Sequence, residues 1–107
     1  MKKEPSYFTK KVWECALSIP HGKVTTYGDI ARAAGGGNQA SRSITHILST
    51  YPEHEKIPFH RIVYANGKVW FSLREEKKRR ALYKKEGIII DEKGRIENFN
   101  EVHFTFV

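Results

Sequence analysis

The chain has 107 residues, 39% of them hydrophobic and 12% aromatic, which suits one small core and excludes a disordered chain. Nineteen lysines and arginines against twelve acidic residues leave a net charge of +7, which fits a partner that is a polyanion and fits equally a surface rich in lysine. No apolar run approaches the ~20 residues of a membrane span, the opening Met1-Lys2-Lys3-Glu4-Pro5 is no secretory signal core, and the one cysteine, Cys15, excludes an intramolecular disulfide or a multi-cysteine zinc site.

Taken in order, Tyr7, Phe8, Val12, Trp13, Ala16 and Leu17 follow a helical period, with Ser6 or Thr9 as cap and Ile19-Pro20 as stop. Val24 to Thr26 is a short extended step into a second helix. Thr25 or Thr26 caps it, Asp29 suits the positive end of its dipole, and Gly35-Gly36-Gly37 ends it after about Ala34. Asn38 is the expected cap of a third helix, roughly Gln39 to Ser49. Its inner face is Ala40, Ile44, Ile47 and Leu48, and Ser41, Arg42, Thr45 and His46 fall largely outside it. Two short helices across a glycine turn predict a helix-turn-helix. Phe59 to Tyr64, Asn66-Gly67 and Val69-Trp70-Phe71 read as a hairpin, the wing. A fourth helix runs from Ser72 or just after to Glu86 and closes at Gly87. Ile88 to Ile96 suggests a second hairpin, and Val102 to Val107 an edge strand. The expected fold is thus mainly α with small β-hairpins, a single winged helix-turn-helix domain over residues 1–107.

Several of these segments carry a resemblance. Val12-Trp13-Glu14, the run from Ile19-Pro20-His21-Gly22 through Thr26-Tyr27-Gly28-Asp29-Ile30-Ala31, Ser41-Arg42-Ser43-Ile44, Ile57-Pro58-Phe59-His60-Arg61-Ile62-Val63, and Leu82 to Gly87 stand in one order. Together they resemble the C-terminal DNA-binding domain of the O6-alkylguanine-DNA alkyltransferases, over about residues 7 to 90. In that family the fourth motif reads Pro-Cys-His-Arg, and its cysteine accepts the alkyl group. Here the motif is Pro58-Phe59-His60-Arg61, and a phenyl ring has no nucleophilic atom. The chain is therefore similar to the alkyltransferase-like proteins, lesion binders that flag alkylated guanine for excision repair.

The resemblance implies a role for each matching residue. Arg42 would enter the base stack and hold the space of a flipped nucleotide, a task suited to a planar cation. Tyr27 would crowd the target phosphate, and Ser41, Ser43 and Thr45 would lie against the DNA. The lesion pocket would comprise Tyr27, an aromatic wall at Phe59, the backbone of Phe59 and Ile62, and the candidate contacts Ser72 and Arg74, the latter laying a cation over the base. His60 and Glu86 match the pair that activates the cysteine. Without a thiol they are expected to keep a structural hydrogen bond, and Arg61 to tie the wing to the core.

These readings predict a monomeric, intracellular protein that binds duplex DNA containing O6-alkylguanine in the minor groove, with nucleotide excision repair proteins as further partners and no membrane, metal or cofactor. Two rival readings stay open: a transferase homologue using Cys15, and a winged-helix regulator reading sequence in the major groove. A mid-helix cysteine is more often an inert small hydrophobe. A major-groove reader needs several long polar side chains, where this helix offers Gln39, Arg42 and His46. The run Lys77-Lys78-Arg79-Arg80 fits a nucleic-acid patch or a solvated helix face. The five histidines include no His-x3-His pair.

Overall fold

A computed structural model of the chain describes residues 5–37, 42–70, 72 and 74–106. The expected cap Asn38, the helix start at Gln39, the inner-face Ala40 and the return-strand Phe71 lie outside the described residues.

Helix α1 spans Tyr7–Leu17, and Ser6 is its cap, its Oγ accepting from the Thr9 N–H at 3.1 Å. Strand β1, Thr25–Thr26, leads directly into helix α2, Tyr27–Ala33. Thr26 caps α2, accepting from the Asp29 N–H at 3.0 Å. The helix closes through the Gly36 N–H to Ala31 carbonyl bond at 2.8 Å. That closure needs a left-handed residue at Gly35, which has φ +94° and no Cβ to clash. Helix α3 spans Ile44–Ser49.

These three helices bury one core. Val12 and Ala16 of α1, Ile30 and Ala31 of α2, and Ile44 and Leu48 of α3 are fully shielded from water. Each large side chain buried there contributes roughly 1.5–3 kcal/mol. Trp13 fixes α3 against α1: its indole N–H donates to the Ile47 carbonyl at 2.9 Å, and its ring packs on Tyr51.

A second cluster comprises Val24, Val63, Val69, Tyr83, Ile88, Ile96 and Val102. Strand β2, Ile62–Val63, pairs parallel with β1 in the register Thr25 to Ile62 and Thr26 to Val63. The pleat sends Ile62 into the helical core and Val63 into the second cluster, so the strand pair divides the two. Helix α4 spans Glu76–Lys85, and its inward Tyr83 is buried in the second cluster. A single helical turn, α5, Phe99–Val102, precedes a tail that pairs with Val24: the Val24 N–H donates to Val102 and the Phe104 N–H to Val24.

The architecture is the expected helical fold with a winged helix-turn-helix arrangement, and its local details differ in several places, the fourth helix starting only at Glu76 among them. The third helix is shorter than expected, because Arg42 and Ser43 form a tight 3-10 turn ahead of α3. Phe59 to Arg61 is a 3-10 turn rather than strand, closed by the Arg61 N–H to Pro58 carbonyl bond at 2.9 Å, and only Ile62–Val63 is extended. The wing is correspondingly short. Its turn bonds the Gly67 N–H to Tyr64 and the Tyr64 N–H to Lys68, with Gly67 at φ +81° and Asn66 not left-handed, so it is not the two-residue Asn-Gly type. Beyond it Val69 pairs with Gly94 instead of returning along β2. The second hairpin forms as expected, Ile90 opposite Ile96. Of the expected edge strand, Val102 ends α5, and the pairing begins at His103.

Candidate nucleic-acid interface

Because β1 runs straight into α2, the capping Thr26 sets the first residue of the helix, Tyr27, at the surface. The Tyr27 ring is half-buried and packs on Tyr64 at 5.6 Å between centroids, tilted by 46°. Burial pushes its phenol above the usual range, while hydrogen bonding to the Thr45 side chain and the charge of Arg79 pull the other way. At neutral pH it therefore keeps its proton and remains a hydrogen-bond donor.

Tyr27, Arg42, Thr45 and Tyr64 line one cleft of about 280 Å³. The structure thus brings together three residues that the resemblance singled out, from α2, the 3-10 turn and α3. Arg42 and Thr45 are exposed, and among the described residues no carboxylate pairs with Arg42. Ser43 is exposed at the start of α3 and makes no capping bond with its side chain. Ser41 lies outside the described residues. Tyr64 was not singled out by sequence; only its place before the Asn-Gly turn hinted at exposure.

Phe59 lies on the wall of a second cleft, of about 470 Å³, which also takes in His60, Arg61 and Arg79. It is half-buried against the helical core. Ile62 as a whole residue is 2% exposed, so its backbone, the expected contact for the base, is covered along with its side chain. Ser72 and Arg74 stand on the turn before α4, where the Ser72 Oγ accepts from the Glu75 N–H at 3.1 Å and Arg74 is exposed. Neither is among the residues lining these two clefts.

Behind Phe59 the next two side chains converge on one carboxylate. Glu86, the C-cap of α4, is 3% exposed. Its Oε2 lies 2.5 Å from His60 Nε2, and Arg61 reaches it through Nε at 3.0 Å and Nη2 at 3.2 Å. The Gly22 N–H donates to Oε1 at 2.8 Å, and Arg61 Nη1 to the Ile19 carbonyl at 3.0 Å. The cluster joins the loop after α1, the 3-10 turn and the end of α4. Burial opposes ionisation of Glu86, but Arg61, the Gly22 N–H and His60 outweigh it and hold its pKa at about 2. Burial lowers the His60 pKa, and Glu86 only partly offsets this. Arg61 therefore supplies the lasting positive charge in the group.

On helix α4 the charges of Lys77 to Arg80 point different ways, as a helical run must. Lys77, Lys78 and Arg80 are exposed, whereas Arg79 is half-buried, with its guanidinium 5.2 Å from the centre of the Trp70 ring. The signal was the spacing of Arg79, Leu82, Tyr83 and Glu86, which puts all four on the inward face of α4. Cys15 is 7% exposed in the helical core, and burial pushes its thiol up, away from reactivity. Among the described residues no three His, Cys, Asp or Glu side chains converge as a metal site, and no helix is long and apolar enough to cross a membrane.

The family described as 6-O-methylguanine DNA methyltransferase, DNA binding domain, matches residues 7–88. The chain is 35% identical over 97 residues to the DNA base-flipping protein of Escherichia coli K12, covering 91% of this chain and 74% of that protein. Its fold is similar to that of Schizosaccharomyces pombe Atl1, solved in complex with damaged DNA containing O6-carboxymethylguanine. The TM-score is 0.73 at 26% identity, over 97% of this chain and 100% of that one. It is also similar to Mycobacterium tuberculosis OGT in complex with DNA, with a TM-score of 0.62 at 30% identity, over 78% of this chain and 51% of that one.

Proposed function

The chain belongs to the family of the 6-O-methylguanine DNA methyltransferase DNA-binding domain, and on that premise we propose that it recognises O6-alkylguanine in duplex DNA without repairing it. The observation that carries this reading is Phe59 in the motif Pro58-Phe59-His60-Arg61, beside an intact His60–Glu86 pair. A thiolate acceptor would use such a pair as its base, and a phenyl ring offers it no proton and no nucleophile. What survives is the binding half of the reaction.

In this reading Arg42 enters the stack from its exposed position and bonds the orphaned base. Tyr27, at the mouth of the same cleft, crowds the phosphate of the rotating nucleotide, and Ser41, Ser43 and Thr45 follow the backbone. The flipped base stacks on Phe59 and meets its backbone. The protein acts as a monomer, and the protein–DNA complex marks the lesion for nucleotide excision repair. The +7 charge supplies the general attraction for the phosphates.

The test is a titration of the protein against one short duplex with and without a single O6-methylguanine, with the protein weighed by mass spectrometry afterwards. Tighter binding to the methylated duplex and an unchanged protein mass are expected. Equal affinities overturn the recognition, and a methyl group on the protein overturns the absence of transfer.

A further inference from the structure

Arg79 occupies an inward position on α4 that a leucine would usually fill, four residues before the buried Tyr83. A half-buried guanidinium needs partners, and those it has are neutral. It lies over the Trp70 ring, its Nη1 sits 3.5 Å from the Trp70 carbonyl, and its charge acts on the neutral phenol of Tyr83. Among the described residues no carboxylate lies within ion-pair distance of it. Glu55 and Glu75 line the outer wall of the same cleft, but both are exposed, where water and salt screen them.

Arg79 also shares a cleft with Phe59. Its charge is felt by Tyr27 in the other cleft, as well as by His60 and Tyr83. A base turned in past Tyr27 toward Phe59 would present its O6 substituent within the field of this cation. We propose that Arg79 is a specificity-determining residue that favours O6 substituents bearing a negative charge, a carboxyalkyl group, over neutral alkyl groups of similar size. This rests on the reading that the base is flipped toward Phe59. A guanidinium without a carboxylate partner binds an incoming carboxylate through two parallel hydrogen bonds, which no neutral alkyl group can accept.

The experiment compares four short duplexes carrying guanine, O6-methylguanine, O6-propylguanine or O6-carboxymethylguanine at one position, titrated with the full chain. Carboxymethyl and propyl are close in size and differ in charge. The protein is expected to bind the carboxymethyl duplex about tenfold more tightly than the propyl duplex. Arg79→Gln should erase that ratio and leave the preference for propylguanine over guanine in place. Arg79→Lys should keep part of the ratio, and Lys78→Gln should weaken all four duplexes together. A carboxymethyl-to-propyl ratio near one in the unaltered protein overturns the inference, whether or not the Arg79 variants fold. A ratio that survives Arg79→Gln overturns it too. If no alkylated duplex is preferred over guanine, the recognition reading falls as well, and that result is distinct from a lost ratio alone.

Discussion

The Arg61 guanidinium meets the Glu86 carboxylate side-on, Nε to Oε1 at 3.0 Å and Nη2 to Oε2 at 3.2 Å. The pair is buried and shares its carboxylate with His60 and the Gly22 N–H. It holds three separate segments together, so its charge state is coupled to folding. The Glu86 pKa falls from the ordinary 4.5 to about 2, so its contribution is complete above pH 4.5 and is lost as the pH drops toward 2. His60 is held below 6.5, so the unfolded chain takes up that proton first, and stability also declines as the pH falls below 6.5. Both effects have the same sign. Thermal melts should show a plateau above about pH 7 and a steady decline on acidification. Glu86→Gln should cost about 3 kcal/mol at neutral pH and flatten the steepest, most acidic part of that decline.

Arg42 is exposed, and among the described residues it has no carboxylate partner. Arg42→Ala should leave the melting temperature unchanged and weaken binding to an alkylated duplex by about 10- to 100-fold. A fluorescence titration at two salt concentrations checks this, because the residual phosphate contacts must still weaken as salt rises.

Phe59→Ala removes the aromatic wall and keeps the Glu86 cluster. Base–aromatic stacking of ~1–3 kcal/mol corresponds to a loss of about 5- to 100-fold for the alkylated duplex. Affinity for undamaged DNA should change little, so the ratio of the two affinities is the quantity to measure.

Thr26 connects stability to the site. Its Oγ1 caps the helix that begins with Tyr27. Thr26→Ala should cost about 1 kcal/mol in denaturant unfolding, and Thr26→Ser should recover most of it by restoring the acceptor.

Where the physics is local, the sequence shows the structure. Ser6, Thr26 and Gly35 act on their own helix ends, and each does what its residue type predicts. The 3-10 turn at Phe59 to Arg61 is set otherwise: the next two side chains bind Glu86, far along the chain, and no local pattern reports that pull. The parallel β1–β2 pair was hidden for a related reason, since two-residue strands are too short to show alternation. Tyr27, Arg42 and Thr45 emerged from the family resemblance rather than from periodicity, and they meet at one cleft. Arg79 and Tyr64 escaped notice because a charged run and a turn flank look like ordinary surface.

The tail after α5 does more than fill space. It occupies the side of Val24 that faces away from the rest of the strand pair, and His103 anchors it to Asp29 at 2.6 Å. Cutting the chain ahead of Val102 would leave those backbone groups unsatisfied, three residues before Tyr27. Such a stub is a template for pairing with another copy, so a shortened protein should precipitate before it loses its helices.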